Sequence, residues 1–277
     1  MLRSALLLST ALLATAAFAA PQPVNQQAPD VSGVDAALTQ ALKGPWRTPA
    51  QAARDQYRHP RETLEFFGLK PDMTVVELWP GSGWYTEILA PVLKDHGHLI
   101  AAATPVSLDT PGEGTQPYLD MLAANKAAFG DVKEVDFLPP SKMDLGPEGS
   151  ADMVLTFRNL HNWQGNGELD DVFKAAFKVL KHGGVLGVEE HRATAGKTVD
   201  QTFKSGYMPV DYVIAEAQKA GFKLVAQSEV NANPKDTKDY PKGVWTLPPT
   251  YTLGDKDRAK YAAIGESDRM TLKFMKP

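Results

Sequence analysis

The sequence contains no cysteine. A disulfide framework, a thiol nucleophile and a cysteine-ligated zinc site are therefore excluded. Attachment of a lipid to a mature N-terminal cysteine is excluded for the same reason. The absence of thiols suits an oxidising compartment, where a stray thiol is a liability.

The chain also lacks a surplus of basic residues and any internal repeat. Its 29 lysines and arginines are outnumbered by 33 aspartates and glutamates, and the net charge is −4. This balance gives no electrostatic footprint for nucleic acid, so we expect no nucleic-acid partner. The length of 277 residues and the hydrophobic content of 43% fit one large α/β domain.

The one marked apolar run lies near the N-terminus and is short. Arg3 precedes an apolar stretch over residues 5–18, which is too short to span a bilayer as a helix. Residues 17–19 (AFA) then form a small-residue cleavage site, and Pro21 follows. This order predicts a signal peptide over residues 1–19 and a periplasmic or secreted protein. The alternative is an uncleaved membrane anchor, whereas after cleavage we expect no stable membrane insertion.

The rest of the chain divides into a leader and a domain. Residues 20–47 are predicted to form a flexible leader and an N-terminal helix, and residues 48–277 a single domain. Strands are predicted at 74–79, 98–104, 132–138, 151–157, 185–188, 222–225 and 270–274. Helices are predicted at 34–42, 48–57, 60–67, 85–93, 168–180 and 211–220. This alternation predicts a mostly parallel sheet with helices on both faces, whose ligands bind beyond the carboxyl ends of the strands.

The strongest motif is the segment from Glu77 to Gly83 (ELWPGSG), between a predicted strand and a predicted helix. Its glycines allow a tight turn and a close approach of the backbone to a ligand. The acidic side chain at the end of the strand can accept hydrogen bonds from a bound cofactor. An ordinary turn without a ligand is the alternative.

This segment resembles the first motif of the class I S-adenosylmethionine-dependent methyltransferases, in which an acid is followed by three spaced glycines. Glu77, Gly81 and Gly83 match the motif, whereas Trp79 occupies the place of the first glycine. The resemblance implies a Rossmann-like, doubly wound, seven-stranded sheet with an antiparallel last strand. It also implies that S-adenosyl-L-methionine is bound by Glu77, Trp79, Gly81, Ser82 and Gly83, and that the substrate is a small molecule.

The resemblance extends from Gln51 to Pro277. Residues 180–186 (LKHGGVL) are similar to the turn that precedes the fifth strand in the family. Four further segments are similar to a subgroup of exported bacterial proteins known as predicted methyltransferases, namely residues 206–213, 231–234, 244–249 and 265–269.

Two features depart from the family pattern. Trp79 places an indole where the family keeps bare backbone, which reshapes the methionine end of the pocket. The second strand ends without the acid that usually holds the ribose hydroxyls, and the next acid is Asp109. Either Asp109 reaches back from its loop, or the ribose is held otherwise, or the cofactor is not bound. Asp144 is the candidate for the adenine contact.

Polar and aromatic side chains follow the fourth predicted strand, at residues 158–163 (RNLHNW). In the fold this segment faces the departing methyl group, so we expect Arg158, His161 and Asn162 to be catalytic and Asn159 to contact the cofactor. His161 is the candidate general base, because an imidazole nitrogen can accept a proton from a hydroxyl or amine nucleophile. A purely structural histidine is the alternative.

The fifth strand is followed by Glu189, Glu190 and His191. Because the fourth and fifth strands are neighbours in this fold, His161 and His191 are expected to lie close together. Two histidines and one of these glutamates form a possible metal site, and a solvated loop is the alternative.

Two segments near the C-terminus allow two interpretations each. Asp268 and Arg269 form either a salt bridge that fixes the last hairpin or, with Glu266, part of the pocket wall. Trp245 and the prolines after it form either an apolar lid or the packing of an insertion between the last two strands.

Three functions are compatible with these features. The first is an S-adenosylmethionine-dependent methyltransferase that acts on an unidentified small molecule, with His161 as base. The second is a non-catalytic ligand-binding protein on a methyltransferase scaffold, which Trp79, the missing acid and the export signal favour. The third is a metal-assisted hydrolase or lyase that uses His161, Glu190 and His191. Cofactor affinity separates the first two, and stoichiometric metal identifies the third.

Overall fold

The computed structural model describes residues 32–104 and 115–277. The predicted signal peptide, the start of the leader and Asp109 lie outside these residues. Within them, seven strands form one sheet: β1 (Thr74–Leu78), β2 (His98–Ala103), β3 (Lys133–Asp136), β4 (Ala151–Phe157), β5 (Leu180–His191), β6 (Lys223–Ser228) and β7 (Arg269–Met275).

The strand order is β3-β2-β1-β4-β5-β7-β6. The first five of these strands pair in parallel, whereas β7 runs antiparallel to both β5 and β6. This topology confirms the predicted Rossmann-like, doubly wound sheet with an antiparallel last strand. From β1 the chain winds outward to β2 and β3 and then returns to β4, so the order reverses between β1 and β4.

Helices cover both faces of the sheet. The described α-helices are α1 (Ser32–Leu42), α2 (Pro49–Ala52), α3 (Asp55–Arg58), α4 (Pro60–Phe67), α5 (Thr86–Leu93), α6 (Thr115–Ala124), α7 (Lys126–Phe129), α8 (Leu160–Asn166), α9 (Leu169–Val179), α10 (Val199–Thr202), α11 (Val210–Lys219) and α12 (Arg258–Ile264). Val75 and Val76 illustrate the two layers, because successive residues of a strand face opposite sides. Val75 belongs to the core under α1, α4 and α5, and Val76 to the core under α8, α9 and α11.

Helix α9 shows why the sequence pattern was informative. Leu169, Val172, Phe173 and Ala176 recur at helical spacing, and all four are buried. Burying each large apolar side chain contributes about 1.5–3 kcal/mol, which is enough to fix the buried face of the helix. The predicted helix over 168–180 is therefore confirmed to within one residue at each end.

The prediction for β5 was wrong at its beginning. Gly183 and Gly184 were expected to end a helix ahead of a strand over 185–188, but β5 already begins at Leu180. Ala151 of β4 pairs with Leu180 and the register then shifts to a pair between Met153 and Val185, so the two glycines lie in a bulge. Gly183 has a φ of 78° there. A bulge can require this left-handed conformation, and glycine adopts it without steric strain.

None of the helices in residues 32–104 and 115–277 is both long enough and apolar enough to cross a bilayer.

Candidate functional site

A cavity of about 440 Å³ lies at the reversal of strand order, beyond the carboxyl ends of β1 and β2. Its lining is mostly apolar and aromatic and comprises Trp79, Pro80, Gly81, Ser82, Ala103, Thr104, Pro117, Tyr118 and Asn159. The switch point of a doubly wound sheet is the usual position of its ligand. Four of the seven residues predicted to bind the cofactor therefore lie in one cavity wall: Trp79, Gly81, Ser82 and Asn159.

The two glycines of the turn play different parts. Gly81 is exposed and has a φ of 59°, and a Cβ built on it would have no atom within 4 Å. Gly83 is buried with a φ of 84°, and a Cβ there would overlap the Met121 side chain and lie 3.1 Å from the Tyr118 ring. Gly81 thus leaves room in the cavity for a ligand, whereas Gly83 allows α6 to pack against the turn.

Trp79 forms part of the cavity wall and has a strained backbone conformation. Its φ of 46° lies in the left-handed region, which disfavours a bulky residue. The indole Nε1 donates to the Phe137 carbonyl at 3.0 Å, and the ring lies 4.9 Å from that of Trp163. These contacts hold the indole over the face of the sheet that carries α8.

Glu77 lies beneath the cavity rather than in its lining. Its side chain is buried, and Oε2 accepts a hydrogen bond from Thr86 Oγ1 at 2.6 Å. Burial raises the pKa of Glu77 to about 7, against the opposing effects of the Thr86 hydrogen bond and the charge of Arg158. A carboxyl group of this kind is largely protonated below neutrality, so it bonds the first residue of α5 without adding a full negative charge beneath the cavity.

Asn159 and Asp144 occupy different places. Asn159 lines the cavity, and its Nδ2 donates to the carbonyls of Leu78 at 3.0 Å and Trp79 at 3.3 Å, which ties the end of β4 to the turn after β1. Asp144 is exposed, is not part of the cavity lining, and accepts a hydrogen bond from the backbone of Gly146 at 3.1 Å. It caps a local turn.

The described cavity lining contains no carboxylate. Strand β2 ends at Ala103, and Thr104 is the last described residue before residue 115.

Residues 160–166, for which the sequence pattern predicts neither a strand nor a helix, form helix α8. His161 is buried in its first turn, and its Nδ1 lies 3.0 Å from Glu190 Oε1. The other oxygen of Glu190 accepts a hydrogen bond from the His161 backbone at 3.3 Å. Asn162, on the same turn, is exposed and lies outside this contact.

His191 lies beside this pair. Its ring centroid is 5.4 Å from that of His161, and its Nδ1 lies 2.6 Å from Ser267 Oγ. Burial, followed by the proximity of His161 and of three arginines, holds the pKa of His191 well below its usual range. Trp245 covers the group from the insertion between β6 and β7, with its ring 5.9 Å from that of His161. The expected approach of the two histidines is therefore confirmed.

The pleat of β5 separates its two terminal carboxylates. Glu189 and Glu190 are consecutive and both fully buried, so they face opposite sides of the sheet. Glu190 contacts His161, whereas Glu189 Oε1 accepts from Arg158 at 2.9 Å and from Arg269 at 2.8 Å. Tyr85 donates to the second oxygen of Glu189 at 2.9 Å.

A second buried carboxylate extends this network toward the N-terminal helices. Glu266 accepts from Arg54 at 2.6 Å and from Arg58 at 3.0 Å, and lies 3.5 Å from Arg269. Burial favours a raised pKa for Glu266, but Arg58, Arg269 and Arg54 outweigh it and hold the pKa at about 2. The predicted salt bridge between Asp268 and Arg269 does not form; Asp268 bonds Arg192 instead, at 2.7 Å.

The sequence interpretation missed Arg54, Arg58 and Tyr118. Tyr118 lies in helix α6 and does not follow the end of a predicted strand, so no strand pattern pointed to it. Arg54 and Arg58 are four residues apart, a spacing that places two side chains on the same side of a helical segment. That spacing was the available signal.

The comparisons with known proteins concern the fold. No protein-family model matches the sequence, and no curated protein matches it either. Among solved structures, a SAM-dependent methyltransferase from Aquifex aeolicus matches with 16% identity and a TM-score of 0.56, over 87% of this chain and 98% of that one. The (4+2)-cyclase SpnF matches with 16% identity and a TM-score of 0.56, over 93% and 98%.

A third structure is phosphoethanolamine N-methyltransferase 2 of Haemonchus contortus in complex with S-adenosyl-L-methionine. It matches with 15% identity and a TM-score of 0.52, over 80% of this chain and 53% of that one. At such identities the likeness concerns the fold, which these neighbours share with this chain. Because one of them is a cyclase, the activity has to be argued from the site.

Proposed function

We propose that this protein is an S-adenosylmethionine-dependent methyltransferase that acts on a small molecule. The observation that carries the proposal is the cavity at the switch point, with the exposed Gly81 turn in its wall. Its volume of about 440 Å³ lies in the range of cofactor and ligand sites.

The residues of the cavity fit the cofactor in part. A Cβ on Gly81 would project into open space, so the backbone of Gly81 and Ser82 is accessible to a ligand. Trp79 offers a partly exposed aromatic surface for a planar base, whereas Tyr118 belongs to the lining but is almost fully buried. Asn159 lies at the end nearest β4. When bound, S-adenosylmethionine supplies an electrophilic methyl group on a sulfonium. The described lining contains no carboxylate for the ribose hydroxyls, and Asp109 lies outside the described residues.

His161 is the proposed general base for the acceptor. Glu190 bonds Nδ1 of the imidazole at 3.0 Å, which orients the ring and leaves Nε2 to take a proton. Trp245 packs edge-on against the ring, and His161 is buried. Methyl transfer depends mainly on in-line positioning of the acceptor and the methyl group in a dry site. In this proposal the cavity provides that positioning, and the His161–Glu190 pair adds the removal of a proton from the acceptor.

Calorimetric titration with S-adenosylmethionine and S-adenosylhomocysteine tests the proposal. Gly81→Val is expected to weaken binding at least about tenfold, because its side chain would enter the cavity. Gly149→Val is the matched control: Gly149 also has a positive φ, 66°, and free space around its Cβ, but it precedes β4 at the opposite edge of the sheet. No binding by the wild type, or equal losses in both variants, would contradict the proposal.

A metal-assisted hydrolase or lyase is the second candidate. The observation in its favour is that ligand atoms of His161, Glu190 and His191 all lie within 4.8 Å of one another. Two ligands of one zinc ion are separated by at most about 4 Å, so the group would have to contract. Glu190 already accepts the His191 backbone N–H at 2.7 Å besides its bonds to His161. One equivalent of tightly bound metal, lost in both His161→Ala and His191→Ala, would establish this function instead.

We also propose that the protein is exported, on the strength of its first 19 residues. Fusion of this segment to a reporter that is active only outside the cytoplasm is expected to give an active reporter and a cleaved junction near Ala19. A mature protein that retains Met1 would contradict this proposal.

A further inference from the structure

Four arginines and two glutamates meet at the carboxyl edge of the sheet, on the face covered by the N-terminal helices. This arginine cluster consists of Arg54, Arg58, Arg158, Arg269, Glu189 and Glu266. Four positive charges face two negative charges, so the cluster carries a surplus of two positive charges. Buried charges in proteins are normally paired, and a surplus of this size calls for a counter-ion.

The surplus resides in guanidinium groups that still have free donors. Arg54 Nη2 is buried and has no hydrogen-bond partner among the described residues. Arg58 and Arg158 each use only one nitrogen in a hydrogen bond to a described side chain. The side chains of Arg54 and Arg158 are 24% and 18% exposed, so a ligand can reach the cluster from solvent.

The charges are close enough to repel one another. Burial, and next the charge of Arg158, lower the pKa of Arg58 to about 9, although Glu266 opposes this. The Arg58 guanidinium also lies over the Trp84 ring, 4.6 Å from its centroid, which fixes its plane. An anion between these groups would relieve the repulsion and satisfy the free donors together.

The position of the cluster indicates which molecule the anion belongs to. Arg158 is directly followed by Asn159, which lines the cavity, and the helix that begins one residue later carries His161. The cluster therefore adjoins the segment that carries the proposed general base, and it lies on the opposite side of the sheet from the His161–Glu190 pair.

We propose that the arginine cluster binds an oxyanion group, a carboxylate or a phosphate, on the methyl acceptor, so that the substrate is an organic acid or a phosphate ester. The proposal rests on the proposed methyltransferase function. Guanidinium groups match both oxyanions because two parallel N–H donors meet two oxygens. Arg54, Arg58 and Arg158 would hold the group, while Glu189 and Glu266 keep the arginines in place.

Inorganic phosphate is the probe for this site. Thermal unfolding of the wild-type protein is followed against phosphate and against chloride at equal ionic strength. Phosphate is expected to raise the unfolding temperature further than chloride does, and in a saturable way, because only a ligand of the folded state stabilises by mass action. Arg54→Gln is expected to weaken phosphate binding about tenfold or more, since it removes a charged donor.

Two further variants keep the test decisive. Arg61→Gln is the matched control, because Arg61 is a partly exposed arginine of the neighbouring helix α4 whose charged partners are Asp35 and Glu65. It is expected to bind phosphate as the wild type does. Arg158→Gln provides a second removal of a donor if Arg54→Gln does not fold. Equal stabilisation by phosphate and chloride, or unchanged phosphate affinity in the folded cluster variants, would overturn the proposal.

S-Adenosylhomocysteine distinguishes the two sources of a carboxylate. If phosphate binds with the same affinity when S-adenosylhomocysteine is saturating, the cluster serves the acceptor. If the two compete, the arginines hold the carboxylate of the cofactor itself and the proposal is overturned. The protein could bind phosphate through the arginines and yet have no affinity for S-adenosylhomocysteine. That result would support the anion site and contradict only the proposed methyltransferase function.

Discussion

Trp79 is the residue at which this chain departs most clearly from the motif it resembles. A glycine at this position would adopt the left-handed backbone without strain, whereas the tryptophan holds a φ of 46°. The compensation lies in its side chain, which bonds the Phe137 carbonyl and packs against Trp163. The indole thereby joins the turn after β1 to the segment after β3 and to helix α8.

The left-handed backbone of Trp79 predicts an inverted order of stability for two variants. Both Trp79→Ala and Trp79→Gly lose the indole contacts, and both are expected to be less stable than the wild type. Alanine keeps the strained φ and glycine does not, so Trp79→Gly is expected to be more stable than Trp79→Ala by about 1 kcal/mol. Denaturant unfolding measures the difference. At an ordinary position glycine is the less stable of the two, and that order here would contradict the assigned strain.

At the scale of elements, the junction of α8 and β5 creates the candidate catalytic pair. Strand β5 presents Glu190 on one face, and the first turn of α8 brings His161 onto it with two hydrogen bonds. The helix is seven residues long, ends at Asn166, and is followed by Gly167, which has a φ of 74°. Its short, polar sequence has no clear apolar period, and buried packing of Leu160 and Trp163 stabilises it instead.

The contact between His161 and Glu190 predicts that removing either side chain lowers activity. His161→Ala is expected to lower turnover by about 10²–10⁴-fold, because a general base supplies that much. Glu190→Gln is expected to lower turnover in the same direction by disturbing the imidazole tautomer, with little change in S-adenosylhomocysteine affinity for either variant. His96→Ala, in an exposed loop at the opposite edge of the sheet, is the control. Full activity of a folded His161→Ala protein would return His161 to a structural role.

The sequence predicted elements whose pattern is local. Strand 151–157 and helix 60–67 were predicted with the bounds that the structure has, since continuous apolar character marks the first and Pro60 and Gly68 delimit the second. The glycines 183–184 were misread because a bulge within a strand and a helix stop use the same residue. The difference depends on the partner strand, which the local sequence does not contain.

The candidate site was predictable to the extent that it follows strand ends. Gly81, Asn159 and His161 follow β1 and β4, and topology places them at one edge. Arg54 and Arg58 were not predicted, because they precede the first strand and are brought to the site only by the packing of the N-terminal helices against the sheet. Their partner Glu266 is more than 200 positions away in the chain, a distance over which periodicity carries no information.

At the scale of the whole molecule, Glu266 joins the two ends of the domain. It binds Arg54 and Arg58 from the N-terminal helices and approaches Arg269 at the start of β7. Arg269 in turn donates to the Tyr57 carbonyl, so the connection is double. The arginine cluster is therefore both a proposed ligand site and a connection between helix α3 and the beginning of β7.

Glu266 should contribute to the acid sensitivity of the fold, as should Glu189 and Asp268, whose pKa values are also lowered, against the effect of burial, by neighbouring arginines. Its pKa falls from 4.5 in the unfolded chain to about 2 in the folded protein, so the unfolded state binds a proton more readily between these values. Its contribution to the free energy of unfolding, about 3 kcal/mol by linkage, is present above pH 4.5 and is lost as the pH falls toward 2.

Glu266→Gln is expected to lower the free energy of unfolding at pH 7 by about 3–5 kcal/mol, because three arginines lose their charged partner. At about pH 2–3 the difference from wild type should shrink. Glu229→Gln is the control, because Glu229 is also a carboxylate paired with an arginine, Arg192, but its side chain is 72% exposed. This variant is expected to lower the free energy of unfolding by less than about 1 kcal/mol at either pH. Denaturant unfolding at both pH values measures this, and a loss for Glu266→Gln that does not depend on pH would show that the side chain acts by packing and not by charge.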